Sequence, residues 1–224
     1  MRCLIVNADD FGLSAGVTDG ILEAHTNGIV TSTSLMVSEP DAERAAQAAR
    51  ELPSLSVGLH LVEADEVDLD DPDQATRALA HQLERFRELM GTDPTHVDSH
   101  HHVHSEEERM SSFVRLVRPL GVPLRHDGQV AYIGGFWAQW ESGVTELRYV
   151  SRDFLLELAR TEALDGFTEL ACHPARVTGD FRSSYLAERE VELRTLTESE
   201  LREKIEALGV RLVSYRDWSS SLDR

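Results

Sequence analysis

Seven short apolar runs separated by longer amphipathic stretches set what this 224-residue chain can fold into. The runs are "CLIVNA" (3–8), "IVTSTSLMV" (29–37), "SVGLHL" (56–61), "THVDS" (95–99), "VPLRH" (122–126), "FTELACH" (167–173) and "VRLVSY" (210–215). Each has the length and composition of a buried strand. Between them lie helical patterns with start and stop signals. Ser14 caps the first, with Val17, Ile21 and Ala24 on one face and Gly28 as the stop. An Ala-rich helix is expected from Asp41 to Arg50. Another is expected from Asp73 to Met90, striped by Ala75, Leu79, Leu83, Phe86 and Met90 and closed by Gly91. Further helices are expected over 106–119 and 151–162. A capping box of Thr197 and Glu200 opens a last one, which ends at Gly209. Strands alternating with helices predict an α/β fold with a parallel sheet. Seven units predict an incomplete, seven-stranded parallel β/α barrel, TIM-barrel-like but one unit short. A doubly wound open sheet is the competing architecture. With neither linker nor repeat, residues 1–224 read as a single domain.

The net charge of −18 argues against nucleic acid or an anionic membrane as partner. No apolar run approaches the ~20 residues of a membrane span. "MRCLIVNADD" lacks a signal-peptide pattern, so a cytoplasmic protein is the expectation. Cys3 and Cys172 fall in strands and are expected to be reduced, buried thiols.

The unusual polar residues cluster at strand ends. Asp9 and Asp10 follow the first strand, His60 is near the end of the third and His100 follows the fourth. Arg125 ends the fifth and His173 the sixth. In a parallel barrel these ends converge on one face, where active sites are built. Adjacent residues leave a strand on opposite sides, so Asp9 and Asp10 should have different roles. A turn closed by Gly12 is the plainer account of "NADDFG", as a core histidine is of "GLHL". "VDSHHHVH" weighs against both, with four of the ten histidines in five positions. On an extended chain Asp98, His100, His102 and His104 share a face. Imidazoles with a carboxylate suit Zn²⁺, Fe²⁺, Co²⁺ or Ni²⁺, and three protein ligands with an open position make a catalytic site. Asp10, His60 and one of His100, His102 or His104 form that set, with the choice open.

His173 is a candidate general acid or further ligand, and Cys172 should point away from it. Arg125 is a candidate to hold an acid ionised, to bind substrate or to form a structural salt bridge. Phe136, Trp137 and Trp140, in "GGFWAQW", offer aromatic faces for a sugar ring or a cover for the core. "EADEVDLDDPD" (63–73), with seven acids in eleven residues, reads as a solvated surface loop.

Four stretches, "IVNADDFGLSAGVTDGILEAHTNGIVTSTSLMV", "LSVGLHL", "PTHVDSHHHVH" and "ELACHP", carry a resemblance. The chain resembles the YdjC-like carbohydrate deacetylases, which include chitooligosaccharide deacetylases. The resemblance implies Asp10, His60 and His100 as ligands of one divalent metal, with Mg²⁺ or Zn²⁺ expected. It implies Asp9 as general base and His173 as general acid in removing acetyl from an N-acetylated sugar. Arg125, Phe136 and Trp137 are the expected substrate contacts. The segment after His60, commonly longer in the family, is here short and acidic, without the usual Leu-Thr and Gly-x-Pro pattern. Covering loops set specificity, so this departure bears on the substrate. Two rivals are a metal-dependent phosphoesterase and a non-catalytic metal- or sugar-binding protein. The latter needs no base and acid together. The expected partner is the sugar substrate, with a homodimer left open.

Overall fold

The computed structural model describes residues 1–63, 67–141 and 143–222. Among them, seven parallel strands form one curled sheet: β1 (Arg2–Phe11), β2 (Ser32–Leu35), β3 (Ser56–Leu61), β4 (Val97–Ser99), β5 (Ala131–Ile133), β6 (Gly166–Cys172) and β7 (Val210–Val213). Their order is β4-β3-β2-β1-β6-β5, with β7 paired to the first half of β1 and β2 to the second. The helices are α1 (Ala15–Thr26), α2 (Ala42–Arg50), α3 (Pro72–Met90), α4 (Glu107–Val117), α5 (Arg152–Thr161), α6 (Ala187–Leu196), α7 (Leu201–Ala207) and α8 (Tyr215–Leu222). This is the incomplete parallel β/α barrel that the alternation predicts. No helix among the described residues is long and apolar enough to cross a membrane.

Local chemistry fixes the element ends. Ser14 Oγ accepts a hydrogen bond from the Val17 amide at the start of α1. Asp71 does the same for Asp73 and Gln74 at α3, with Pro72 in its first turn and Gly91 in the left-handed region at its end. The acidic run therefore does more than meet solvent. Asp71 caps a helix, and Asp70 and Glu63 pair with Arg109 on α4. Residues 64–66 of that run lie outside the described residues.

Alternation along β1 decides what faces the barrel interior. Leu4, Val6 and Ala8 pack into the main core with α1 residues such as Val17 and Ile21. Cys3 and Ile5 turn the other way, onto Val213, Tyr215 and Trp218. Asn7 and Asp9 continue that inner face, so it is apolar low in the barrel and polar at the carboxyl end. Both cysteines are buried and unbridged. Gly58 is required by close approach, because a Cβ there would lie 2.4 Å from the His96 ring, which stacks on Tyr215 at 3.8 Å.

Two expectations are corrected. Residues 122–126 form no strand, and meet β4 only through the single bridge between Val97 and Leu124. The Asp127 carboxylate accepts the Leu124 amide, and His126 takes a positive φ of 68°, so the chain turns away. The fifth strand follows at Ala131–Ile133, against β6. Nor do Thr197 and Glu200 form a capping box. Thr197 bonds back to the Leu193 carbonyl at the end of α6, and Glu200 has a left-handed backbone without a side-chain cap. Helices α6 and α8 were not anticipated.

Candidate active site

A bulge near the end of β1 brings both acids to one place. Its pairing with β2 shifts between Ala8 and Phe11, and Asp10 adopts a φ of 70° before Gly12 at 89°. Bulges of this kind re-aim a side chain. Asp9 stays on the inner face, where Arg125 donates to its two oxygens at 2.7 and 2.8 Å and Asn7 at 2.8 Å. Asp10 turns to a different set of partners. Its Oδ2 accepts from Arg189 at 2.5 Å, while its Oδ1 lies 3.3 Å from His60 Nε2 and 3.2 Å from His100 Nδ1.

Behind His60, Asp98 Oδ1 takes Nδ1 at 2.7 Å, and Asp98 in turn accepts from Ser34 at 2.9 Å. This carboxylate fixes the ring so that Nε2 points at Asp10. Burial works against ionisation of Asp9, but the Arg125 charge outweighs it and holds its carboxyl below the usual range. Burial likewise raises Asp10, while the Arg189 charge and the nearby His100 and His60 rings hold it well below that range. Burial depresses His60, yet Asp98 and Asp10 together push it up to about 10. Burial pushes His173 down to about 4, so its ring is neutral near pH 7.

Asp10 Oδ1, His60 Nε2 and His100 Nδ1 lie within 4.8 Å of one another. The first two are buried and have no hydrogen-bond partner. A carboxylate oxygen and two imidazole nitrogens left facing each other fit a divalent cation. A second grouping, Asp9, His60 and Asp98, is equally close. It does not fit a metal, because the Arg125 guanidinium already sits between Asp9 and Asp98 and supplies the positive charge.

A cavity of 890 Å³ opens over the site. Asp9, Asp10, His60, His100, His173, Phe136 and Trp137, all anticipated from sequence, line it. The His173 Nε2 lies 3.9 Å from Asp9 Oδ2, and its edge meets Trp137 at 5.1 Å. Arg125 is the exception. It is buried behind Asp9, its guanidinium surrounded by Asp9, Asp98 and Glu169, and it does not reach the cavity. The substrate contact expected of it is corrected to holding the acids.

The shared face expected of the histidine cluster ends at His100. The chain leaves β4 at Ser99 for a 3-10 turn in which His101 and His102 have φ of 53° and 55°. The His101 ring lies tilted by 33° against His100 at 3.8 Å, and His102 meets the Tyr132 hydroxyl at 3.2 Å. His104 is buried between Ser99 Oγ and the Arg125 carbonyl, a structural tie. Sequence reasoning missed Arg189, Glu192 and Tyr185. Glu192 accepts from the His173 amide and, at 2.6 Å, from the Tyr185 hydroxyl. The available signal was the pattern of Glu188, Arg189 and Glu192, polar positions on one helical face.

An incomplete parallel β/α barrel with a carboxylate–imidazole site at its strand ends defines the class. The chain belongs to the YdjC-like protein family, whose model matches residues 3–207. It is 36% identical over 252 residues to a chitooligosaccharide deacetylase of Klebsiella pneumoniae, across 96% of this chain and 99% of that one. That alignment is longer than this chain, so the relative carries insertions. Among solved structures, an Enterococcus faecalis protein named for cellobiose-phosphate cleavage matches with a TM-score of 0.80 and 26% identity, covering 97% of this chain and 98% of that one. A family 4 acetyl xylan esterase of Clostridium thermocellum, solved with a cobalt ion, shares the fold at a TM-score of 0.54 and 12% identity, covering 96% and 89%.

Proposed function

We propose that this chain is a divalent-metal-dependent hydrolase that removes the acetyl group from an N-acetylated sugar. The observation that carries the reading is the convergence of Asp10 Oδ1, His60 Nε2 and His100 Nδ1, without hydrogen bonds for the first two, beside Asp9 and His173. The name of the Klebsiella relative supports the substrate class. Asp10, His60 and His100 would hold the divalent ion, which would supply Lewis acidity for an amide carbonyl and for water.

The chain's own groups do the rest. Arg125 and Asn7 hold Asp9 ionised and fixed in direction, ready to take a proton from the attacking water. His173 gives a proton to the departing amine nitrogen, which is otherwise a poor leaving group. Burial keeps His173 neutral at the outset, so its proton arrives during the reaction. Asp9, 3.9 Å from its Nε2, is the nearby source. Phe136, Trp137 and Tyr185 give the cavity an apolar wall that limits water beside the reacting amide. A two-metal phosphoesterase is disfavoured, because Arg125 fills the second acid–imidazole grouping.

The test is acetate release from N-acetylglucosamine and its β1,4-linked oligomers, before and after chelation and reloading with divalent metals. Release only with metal is expected. Hydrolysis of a phosphate ester with no acetate from any of these sugars contradicts the reading.

A further inference from the structure

Tyr132 has no part in the chemistry above, yet it lines the same cavity as Asp9, His60 and His173. It sits in the middle of β5, and β4 and β5 are the two edges of the sheet. The 3-10 turn that follows β4 carries His102 across that seam, where its Nε2 lies 3.2 Å from the Tyr132 hydroxyl. The phenol ring is held on two more sides. His126 meets it edge-to-face at 4.5 Å, and the Arg125 guanidinium carbon lies 5.2 Å from its centre.

Which group donates across the seam follows from the far side of the imidazole. His102 Nδ1 is buried and has no hydrogen-bond partner. A neutral imidazole carries one N–H and one bare nitrogen. If the phenol donated to Nε2, the N–H of the ring would be stranded at Nδ1, and buried donors without an acceptor are rarer than under-used acceptors. The favoured arrangement therefore has Nε2–H donating to the phenolic oxygen. That leaves the Tyr132 O–H to spare, with no other hydrogen-bond partner among the described residues. Burial pushes this hydroxyl above the usual phenol range, so it keeps its proton and stays a donor.

The sequence also keeps the approach to that hydroxyl clear. Gly134 follows β5 without a positive φ, so the backbone does not demand a glycine there. Space does: a Cβ would lie 2.8 Å from the Tyr132 ring Cε1 and 3.3 Å from the hydroxyl oxygen. Gly134 lines the cavity as well. A fixed ring, a spare hydrogen and an uncovered approach make a preset donor for an oxygen of whatever fills the cavity.

We infer that Tyr132 is a substrate-binding residue whose hydroxyl donates a hydrogen bond to an oxygen of the bound sugar, with His102 as the positioning residue that sets its direction. This rests on the proposed deacetylase reading for the identity of the ligand. The donor itself stands on Tyr132, His102 and Gly134.

The test is Tyr132→Phe, which removes the hydroxyl and keeps the ring. The metal-loaded, full-length Asp9→Asn protein is titrated calorimetrically with the β1,4-linked disaccharide of N-acetylglucosamine, with and without Tyr132→Phe. Binding should weaken about three- to tenfold, the scale of one hydrogen bond. With Asp9 intact, Tyr132→Phe should raise KM by a similar factor and leave kcat within about twofold. A hydroxyl that only latches the seam would lower the melting temperature and leave Kd and KM unchanged. That result overturns the assignment, as does a fall in kcat at unchanged KM. Acetate release by the wild-type protein is read separately. Release with a KM indifferent to Tyr132→Phe keeps the deacetylase and removes the donor. Binding that depends on the hydroxyl, without release of acetate, does the reverse. Neither binding nor release removes both.

Discussion

Asp98 holds His60 from behind: its Oδ1 lies 2.7 Å from the ring Nδ1, in a spot where neither side chain meets solvent. Without it the imidazole loses both its orientation and its basicity. Asp98→Asn should weaken divalent-metal affinity by about 10–100-fold, as loss of such supporting carboxylates does. Metal titration against a competing chelator checks this. Unchanged affinity would mean that His60 is oriented by Ser34 and packing alone.

Arg125 is the second pivot. It is 3% exposed and within ion-pair distance of Asp9, Asp98 and Glu169. Arg125→Met leaves three buried carboxylates without their cation and should cost about 3–5 kcal/mol of stability, read by urea unfolding. Arg125→Lys should cost less, since it restores the charge but not the fork. A loss under about 1 kcal/mol for Arg125→Met, the scale of an exposed pair, would contradict the burial of this cluster.

Glu192 makes stability pH-dependent. Burial pushes its carboxyl up to about 8, against 4.5 ordinarily, despite hydrogen bonds from Tyr185 and the His173 amide. The fold favours the protonated form, so its contribution is full below about pH 4.5 and is lost as pH rises through about 8. Glu192→Gln keeps a neutral group at every pH. Its melting temperature relative to wild type should therefore rise between about pH 5 and pH 9 in the metal-free protein. A flat difference across that range would contradict the raised carboxyl.

The histidine cluster divides sharply. His100→Ala should abolish metal binding, because Nδ1 of His100 faces Asp10 Oδ1 at 3.2 Å. His101→Ala should keep it, since the His101 ring lies tilted against His100 at 3.8 Å and is outside the ligand set. Equilibrium dialysis of both variants distinguishes them, and equal loss would overturn the ligand set.

Much of this was legible in the sequence because strand ends announce themselves. Asp9, Asp10, His60 and His173 follow or finish apolar runs, and a parallel barrel gathers such positions. His100 became specific only through family resemblance, since spacing on an extended chain treats His100, His102 and His104 alike. The left-handed backbone at His101 and His102 breaks that equivalence, and no local pattern encodes it. Helix α6 was hidden for another reason: Glu188, Arg189 and Glu192 are buried polar side chains, so its inward face carries little apolar periodicity. Residues 122–126 misled because "VPL" is apolar enough for a strand, while the Asp127 side chain that ends it acts from outside the run.

The most direct measurement is made on Asp9→Asn, with bound metal and acetate release read on the same sample. Asn keeps the shape of Asp9 but cannot take a proton from water. Metal content equal to wild type with acetate release reduced by about 100-fold or more is the expected result. Metal lost together with activity would make Asp9 a ligand, and activity kept with metal bound would remove it as the base.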